Sequence, residues 1–167
     1  MSNAAIRTAL EAAIAYLTEH PDEARYTDTE ARAVLNGGLA VTVSGPDGVT
    51  VATDMPGSVG GGGSGPSPGW LMRAAQASCL ATLIAMRAAQ QGLDLGRIEV
   101  VVDSESDDRG ILGVDETVPA GPLNTGARVR VERDAAGAAD VVRWADAHCP
   151  VQDAIRRAVP STVALTA

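Results

Sequence analysis

The hydrophobic and polar positions along the chain switch between helical and strand spacing, and this switching predicts the order of its elements. Residues 3–19 carry an apolar stripe at helical intervals, which predicts an amphipathic helix packed on the body of the protein or on a second subunit. Residues 29–53 alternate as short strands, and the turn sequences at 36–38 and 44–48 predict an antiparallel meander. A glycine-rich stretch at 54–69 then leads into the longest apolar segment.

This longest apolar segment, residues 65–92, predicts the helix around which the rest of the chain is arranged. Prolines open it, Gly92 closes it, and its side chains are apolar nearly all round, so we expect burial on most sides. Beyond it the pattern predicts two strands, two helices and a short final strand, at residues 97–106, 127–133, 135–147, 150–159 and 162–166. This order indicates an α+β fold with helices on one face of a mainly antiparallel sheet.

The composition is that of a globular protein with neither a nucleic-acid nor a membrane partner. The 167 residues are 46% hydrophobic and 20% charged, and because Phe is absent the core must be built from Leu, Val, Ile, Met and Ala. The net charge of -8 argues against nucleic acid, which is bound through clustered cations. No uncharged apolar run reaches the roughly 20 residues of a membrane span. No signal peptide is visible, so we expect a cytoplasmic protein.

Two cysteines are the main candidates for chemistry. Cys79 lies in the middle of the long helix, where position alone favours a small buried side chain with a raised pKa. Cys149 precedes Pro150 and falls near the N-cap of the next helix, whose free amides favour a thiolate. Either thiol could be reactive, and a pair permits disulfide chemistry.

Other kinds of site fit the sequence poorly. Together with His148 the two cysteines offer three metal ligands, but none of the paired spacing that is typical of zinc, so we expect no metal and no other cofactor. The glycine-rich stretch lacks the Lys and Ser/Thr of a phosphate-binding P-loop. No Gly-x-Ser-x-Gly motif of a serine hydrolase is present.

Two motifs resemble those of OsmC/Ohr-like proteins, the osmotically inducible and organic hydroperoxide resistance family. The segment 65–79, GPSPGWLMRAAQASC, is similar to the Pro-x-x-Leu-x-x-Ala and Ala-Cys pattern at the start of the family's central helix. Cys149-Pro150-Val151 matches the family's second cysteine motif. The glycine-rich stretch and the order of strands agree as well, so the resemblance covers residues 30–167.

The resemblance implies a fold and an assembly. We expect an OsmC-like α+β fold in which a mainly antiparallel sheet wraps a long buried central helix, with two chains forming an intertwined homodimer. Residues 1–22 would be an N-terminal helical extension, and residues 23–167 the OsmC-like domain.

The resemblance also implies a thiol-dependent peroxidase that reduces organic hydroperoxides in the oxidative stress response. Cys79 would attack the peroxide as a thiolate and become a sulfenic acid, and Cys149 would resolve that acid to a disulfide. A dithiol reductant of the lipoyl or thioredoxin type would restore both thiols.

Two helper positions of the peroxidase branches differ in this chain. Gly69 stands where those branches commonly carry an acidic residue, and Leu39 stands where they carry an activating Arg on an early strand. Arg32 is the nearest substitute for that Arg, with Arg73 and Arg109 as others. Two further interpretations stay open: an OsmC-fold protein that binds a small apolar ligand, and a thiol switch that controls the dimer.

Overall fold

The computed structural model describes residues 2–133 and 136–166, and the chain divides into two compact units. The larger unit comprises Met1–Ala12 and Ala75–Ala167, and the smaller unit comprises Ala13–Ala74. Within the described residues the secondary structure is α+β, with two antiparallel sheets and helices before, between and after them. The predicted α+β class is therefore confirmed, although the strands form a three-stranded and a two-stranded sheet instead of a single one.

The first helix, α1, spans Asn3–Glu19 and confirms the predicted helix, although none of its side chains is buried within the single chain. Its first turns belong to the larger unit, where the Arg7 guanidinium donates through Nε to the Ala89 carbonyl oxygen at 2.8 Å. The Asn3 side-chain amide donates to the Leu93 carbonyl oxygen at 3.2 Å. The start of α1 is thus fastened to the end of the central helix. The division of the chain at residue 22 stays a prediction.

The three-stranded sheet of the smaller unit is the predicted meander. Strands β1 (Arg32–Gly37), β2 (Ala40–Ser44) and β3 (Thr50–Thr53) are antiparallel and lie in the order β1-β2-β3. Leu35 pairs with Val41, so an apolar cross-strand pair joins β1 to β2.

The glycine-rich loop after β3 is organised by one carboxylate. Asp54 is buried and accepts hydrogen bonds from the Gly62 amide at 3.1 Å and from the Ser64 amide and hydroxyl at 3.0 and 2.8 Å. These bonds lower the pKa of the Asp54 carboxyl, the Ser64 bonds most. A Cβ on Gly61 would lie 1.9 Å from the Met55 carbonyl oxygen, so this close approach of two backbone segments requires glycine.

The central helix, α2, spans Pro68–Gln91 and confirms the prediction from its apolar run. In the larger unit four of its five buried side chains, Gln76, Leu80, Ile84 and Ala88, are spaced four residues apart and form one stripe, and Ala89 lies beside it. The other faces of α2 are half-buried or exposed within the single chain, whereas the sequence pattern predicts burial on most sides. One member of the buried stripe, Gln76, is polar.

The larger unit builds its core between α2, a two-stranded sheet and two further helices. Strands β4 (Ile98–Glu105) and β5 (Asn124–Val131) pair antiparallel, the short helix α3 (Asp108–Ile111) lies between them, and α4 (Ala138–His148) and α5 (Pro150–Arg156) follow. The core cluster includes Ile84, Leu95, Val141 and Ala145. Val129 packs against this cluster from β5, whereas the charged side chains Arg128 and Arg130 are exposed.

Several predicted elements in the C-terminal part of the chain change in the structure. The helix predicted at 135–147 begins at Ala138, and position 135 lies outside the described residues. The helix predicted at 150–159 ends at Arg156. The strand predicted at 162–166 is wrong, because this segment pairs with no other strand among the described residues and Val163 is fully exposed. Alternating apolar residues form a strand only where a neighbouring strand satisfies the backbone.

Candidate dithiol site

Cys79 and Cys149, the two cysteines singled out in the sequence, meet in the larger unit. Cys79 lies in the middle of α2, and Cys149 is the N-cap residue of α5, between α4 and the first-turn proline Pro150. Both are free thiols, and they are hydrogen-bonded to each other. Pro150 suits the first position of a helix because its fixed φ fits and its missing N–H is not needed there, so the Cys-Pro sequence places the thiol at this junction.

The two thiols differ in their access to solvent. Cys149 is 0% exposed, whereas Cys79 is half-buried. Burial raises the pKa of the Cys79 thiol, and the hydrogen bond with Cys149 raises it further. The backbone amide of Val151, in the first turn of α5, donates to the Cys79 sulfur and opposes this rise. In the resting dithiol, Cys79 is therefore held as the neutral thiol.

A backbone amide in the first turn of α5 donates to Cys79, whereas the sequence predicts that such amides stabilise the thiolate of Cys149. Cys149 makes no side-chain capping bond, although its carbonyl oxygen accepts from the Asp153 amide at 2.9 Å and starts the helix. The Cys149 thiol therefore does not cap its own helix, and the Val151 amide instead reaches across to Cys79 on α2. The two motifs are therefore coupled through a backbone group as well as through their sulfurs.

A polar network lies one turn from each cysteine. The Gln76 Nε2 amide donates to Gln152 Oε1 at 2.5 Å and to Thr125 Oγ1 at 3.3 Å. Gln152 Nε2 in turn donates to Asp146 Oδ1 at 2.8 Å. Arg156 closes the network with Nη2 bonds of 2.7 and 2.8 Å to the two Asp146 carboxylate oxygens, and this ion pair lowers the pKa of Asp146.

The other groups considered near Cys149 have partners of their own. The His148 ring stacks on Trp144 at 4.1 Å between ring centroids and 12° between planes, and its Nδ1 lies 2.8 Å from the Trp144 carbonyl oxygen. Arg157 forms an ion pair with Asp153 on the exposed side of α5. The interactions of His148 and Arg157 are thus with residues of α4 and α5.

The cations proposed as substitutes for the activating Arg lie on several elements. Arg32 is the first residue of β1, exposed, in the smaller unit, and its role toward Cys79 stays a prediction. Arg73 lies on the first turns of α2. Arg109, on α3, pairs with Asp107 at 2.5 Å and holds the pKa of that carboxyl at about 2. None of the groups that shift the pKa of Cys79 is a cation.

The described residues were compared with what a metal site and a membrane-spanning helix require. Within residues 2–133 and 136–166, no three His, Cys, Asp or Glu side chains come together as a metal site would require. In the same described ranges, none of the helices combines the length and the apolar character that crossing a membrane requires.

Gln76 and Gln152 are the site residues that sequence reasoning missed. The signal for Gln76 was present, because it is the one amide among the apolar residues of the buried stripe of α2, and a buried polar side chain requires a partner. Gln152 gave no such signal, since a polar residue in the first turn of a short helix is ordinary.

The comparisons with known proteins give a family and a fold. A family profile described as OsmC-like protein matches residues 61–164. No curated protein matches the sequence significantly.

Solved structures with the same fold come from several bacteria. An OsmC-like protein of Mycoplasma pneumoniae superposes with a TM-score of 0.66 at 12% identity, over 80% of this chain and 91% of the other. An organic hydroperoxide resistance protein of Legionella pneumophila gives a TM-score of 0.59 at 23% identity, over 79% and 91%. An organic hydroperoxide resistance protein of Bacillus subtilis gives 0.52 at 24% identity, over 78% and 91%.

Proposed function

The chain belongs to the family of OsmC-like proteins, and on that premise we propose that it is a peroxidase that reduces organic hydroperoxides through Cys79 and Cys149. The observation that carries the proposal is the contact between these two thiols, one half-buried and the other fully buried. The half-buried Cys79 is the one a solute can meet, which supports its assignment as the attacking residue. The buried Cys149 suits a resolving residue that is reached only from within the protein.

The proposed cycle balances two electrons and two protons. The Cys79 thiolate attacks the distal oxygen of a hydroperoxide, the O–O bond breaks, and the alkoxide leaves as an alcohol after taking a proton. The Cys149 sulfur then attacks the sulfenic sulfur of Cys79, water leaves, and an internal disulfide forms. A dithiol of the lipoyl or thioredoxin class reduces that disulfide and becomes oxidised itself.

The thiolate needed for the first step is disfavoured in the resting dithiol, because burial raises the pKa of Cys79. The Val151 amide supplies one favourable contact to a charged sulfur. We assign the remaining activation, once a hydroperoxide is bound, to Arg32, the nearest substitute for the family's early-strand Arg. The proposal also includes a homodimer and a cytoplasmic location, the latter because a reducing compartment keeps such a thiol pair reduced between turnovers.

The structural neighbours support the reaction class. Two of them are named as organic hydroperoxide resistance proteins, one from Legionella pneumophila and one from Bacillus subtilis. Both share the fold over 79% and 78% of this chain, at 23% and 24% identity.

Peroxide consumption with matched cysteine variants tests the proposal. The reduced wild type should consume cumene hydroperoxide with a dithiol donor, and Cys79→Ser should lower the rate by about a thousandfold or more, because the nucleophile is gone. Cys149→Ser should still consume close to one equivalent of peroxide and then accumulate a sulfenic acid that a dimedone-type reagent traps. Equal rates for wild type and Cys79→Ser would rule the proposal out.

A second candidate function is binding of a small apolar ligand, and a cavity in the larger unit favours it. The cavity has a volume of about 360 Å³. Apolar side chains including Leu80, Ile84 and Val129 line it together with the polar Gln152 and the Asp146–Arg156 ion pair, which suits an apolar chain with a polar head. Thermal stabilisation by medium-chain fatty acids, with no loss of free thiol on peroxide addition, would favour this function over the peroxidase.

A further inference from the structure

The Gln76–Gln152 hydrogen bond occupies a particular place relative to the two thiols. Gln76 precedes Cys79 by one turn on α2, and Gln152 follows Cys149 by one turn on α5. The bond between their side chains is 2.5 Å long and joins residues 76 positions apart in the sequence. Each end of this hydrogen bond therefore lies on the same helix as one cysteine, and we call the bond the Gln76–Gln152 bracket.

The two amides of the bracket are buried, so water cannot readily replace their hydrogen bond when it is broken. Gln76 is 1% exposed and Gln152 is 8% exposed. A buried amide that loses its partner bears the cost of leaving a donor or acceptor unsatisfied, about 1–3 kcal/mol. The protein thus has a strong preference for arrangements of α2 and α5 that keep this bond.

The orientation of both amides is fixed from the surface. The Asp146 carboxylate only accepts hydrogen bonds, so Gln152 must turn Nε2 toward it and Oε1 toward Gln76. Gln76 must then donate its own Nε2, as it does. Arg156 holds Asp146 in the required position with two bonds to the carboxylate and one from Nη1 to the Asp146 carbonyl oxygen at 3.2 Å. The network of Gln76, Gln152, Asp146 and Arg156 therefore fixes which amide of the bracket donates and which accepts.

We propose that the Gln76–Gln152 bracket is a positioning device that sets the equilibrium between the dithiol and disulfide forms of Cys79 and Cys149. The inference rests on the proposed thiol chemistry and adds residues to which nothing in that chemistry assigns a role. By holding α2 against the start of α5, the bracket keeps the effective concentration of one thiol at the other high, and a high effective concentration favours the disulfide.

The reaction to be measured needs no peroxide. Oxidised dithiothreitol, a cyclic disulfide, accepts two electrons and two protons from Cys79 and Cys149, so the protein disulfide and reduced dithiothreitol form together. The equilibrium constant is obtained by acid quenching mixtures of known ratio and counting free thiols by mass spectrometry. A protein without peroxidase activity gives the same readout, so failure of the proposed function and failure of this inference are separate results.

Two single variants break the bracket with little change of volume. Gln76→Met removes the donor and Gln152→Met removes the acceptor, and each should shift the equilibrium toward the dithiol by about tenfold, or about 30 mV for this two-electron couple. The double variant should shift it no further than the larger single shift, because the same bond is lost in all three. Asp146→Ala, at a half-buried position, should shift it the same way by at least about threefold by releasing the orientation of Gln152.

Matched controls separate positioning from general destabilisation. Ile84→Val weakens the same core by about 1 kcal/mol with the bracket intact, and Asp153→Asn removes a surface ion pair on α5. Both should leave the equilibrium within about twofold of the wild type. Shifts below twofold in Gln76→Met and Gln152→Met, additive shifts in the double variant, an equal shift in Ile84→Val, or no disulfide in the wild type would each overturn the proposal.

Discussion

At the scale of single residues, the chemistry of the site depends on how Cys79 is solvated. Burial and the hydrogen bond with Cys149 favour its neutral form, and the Val151 amide favours the thiolate. Because the first two effects prevail, the pKa of Cys79 lies above its ordinary value. The reactive fraction is small at neutral pH and grows as the pH rises toward that pKa.

Alkylation of the reduced protein measures this balance directly. The rate of modification of Cys79 by iodoacetamide should rise with pH to a midpoint above that of a free cysteine, about 8.5, because only the thiolate reacts. Cys79→Ser serves as the control, since the fully buried Cys149 should react much more slowly in the folded protein. A midpoint below about 8 would contradict the prediction and would indicate a cation close to Cys79.

At the scale of elements, α2 carries Cys79 and ends in a glycine cap at Gly92. The Gly92 amide donates to the Ala89 carbonyl oxygen at 3.1 Å and the Leu93 amide to the Ala88 carbonyl oxygen at 2.9 Å, the two bonds of a Schellman motif. Gly92 has a φ of 70°, in the left-handed region. The Arg7 side chain of α1 packs over this end, so the cap also receives the N-terminal helix.

Replacing Gly92 by Ala should destabilise the protein by at least about 1 kcal/mol, because a side chain at positive φ is strained. The added Cβ would also lie 2.3 Å from the Arg7 guanidinium, which must move. Gly69→Ala in the first turn of α2 is the matched control: its Cβ meets nothing closer than 3.8 Å, and the better helix propensity should leave stability equal or raise it. Urea unfolding measures both, and equal stabilities for the two variants would contradict the assignment of the cap.

At the scale of the whole molecule, many large apolar side chains are exposed in the single chain. They occur on the three-stranded sheet, near α3 and in the last residues, and include Leu35 at 61%, Val51, Leu112, Val114 and Val163. The core of the larger unit is built mostly of small and medium side chains. A single chain that leaves this much apolar surface in water gains stability by covering it, which supports the proposed homodimer.

Sedimentation of the purified protein should give twice the mass of the chain at micromolar concentration. Leu35→Arg on β1 should shift the protein toward the monomer, because a buried unpaired charge at an interface costs several kcal/mol. Thr18→Arg, at an exposed polar position of α1, should leave the mass unchanged. A wild type that sediments as a monomer throughout the concentration range would remove the dimer from the proposal.

Local signals in the sequence were sufficient for most elements. Apolar periodicity, turn glycines and helix-ending residues act over a few positions, so α1, the meander and α2 followed from the sequence with correct types and nearly correct ends. The two cysteine motifs followed as well, because each is a short run of residues on one element. The segment 162–166 shows the limit, since its strand pattern lacks a partner among the described residues.

Only the tertiary structure decided how the site is assembled. Gln76 and Gln152 are separated by 76 positions, and no local pattern states that their amides meet. The same holds for the Val151 amide. The sequence predicts that it favours the thiolate of Cys149, the N-cap residue of its own helix, but in the folded chain it donates to Cys79. The sequence by itself determined which residues can react and which elements carry them. Their contacts, and the pKa of the thiol between them, depend on which helices pack together, because burial and hydrogen bonding across elements exist only in the folded chain.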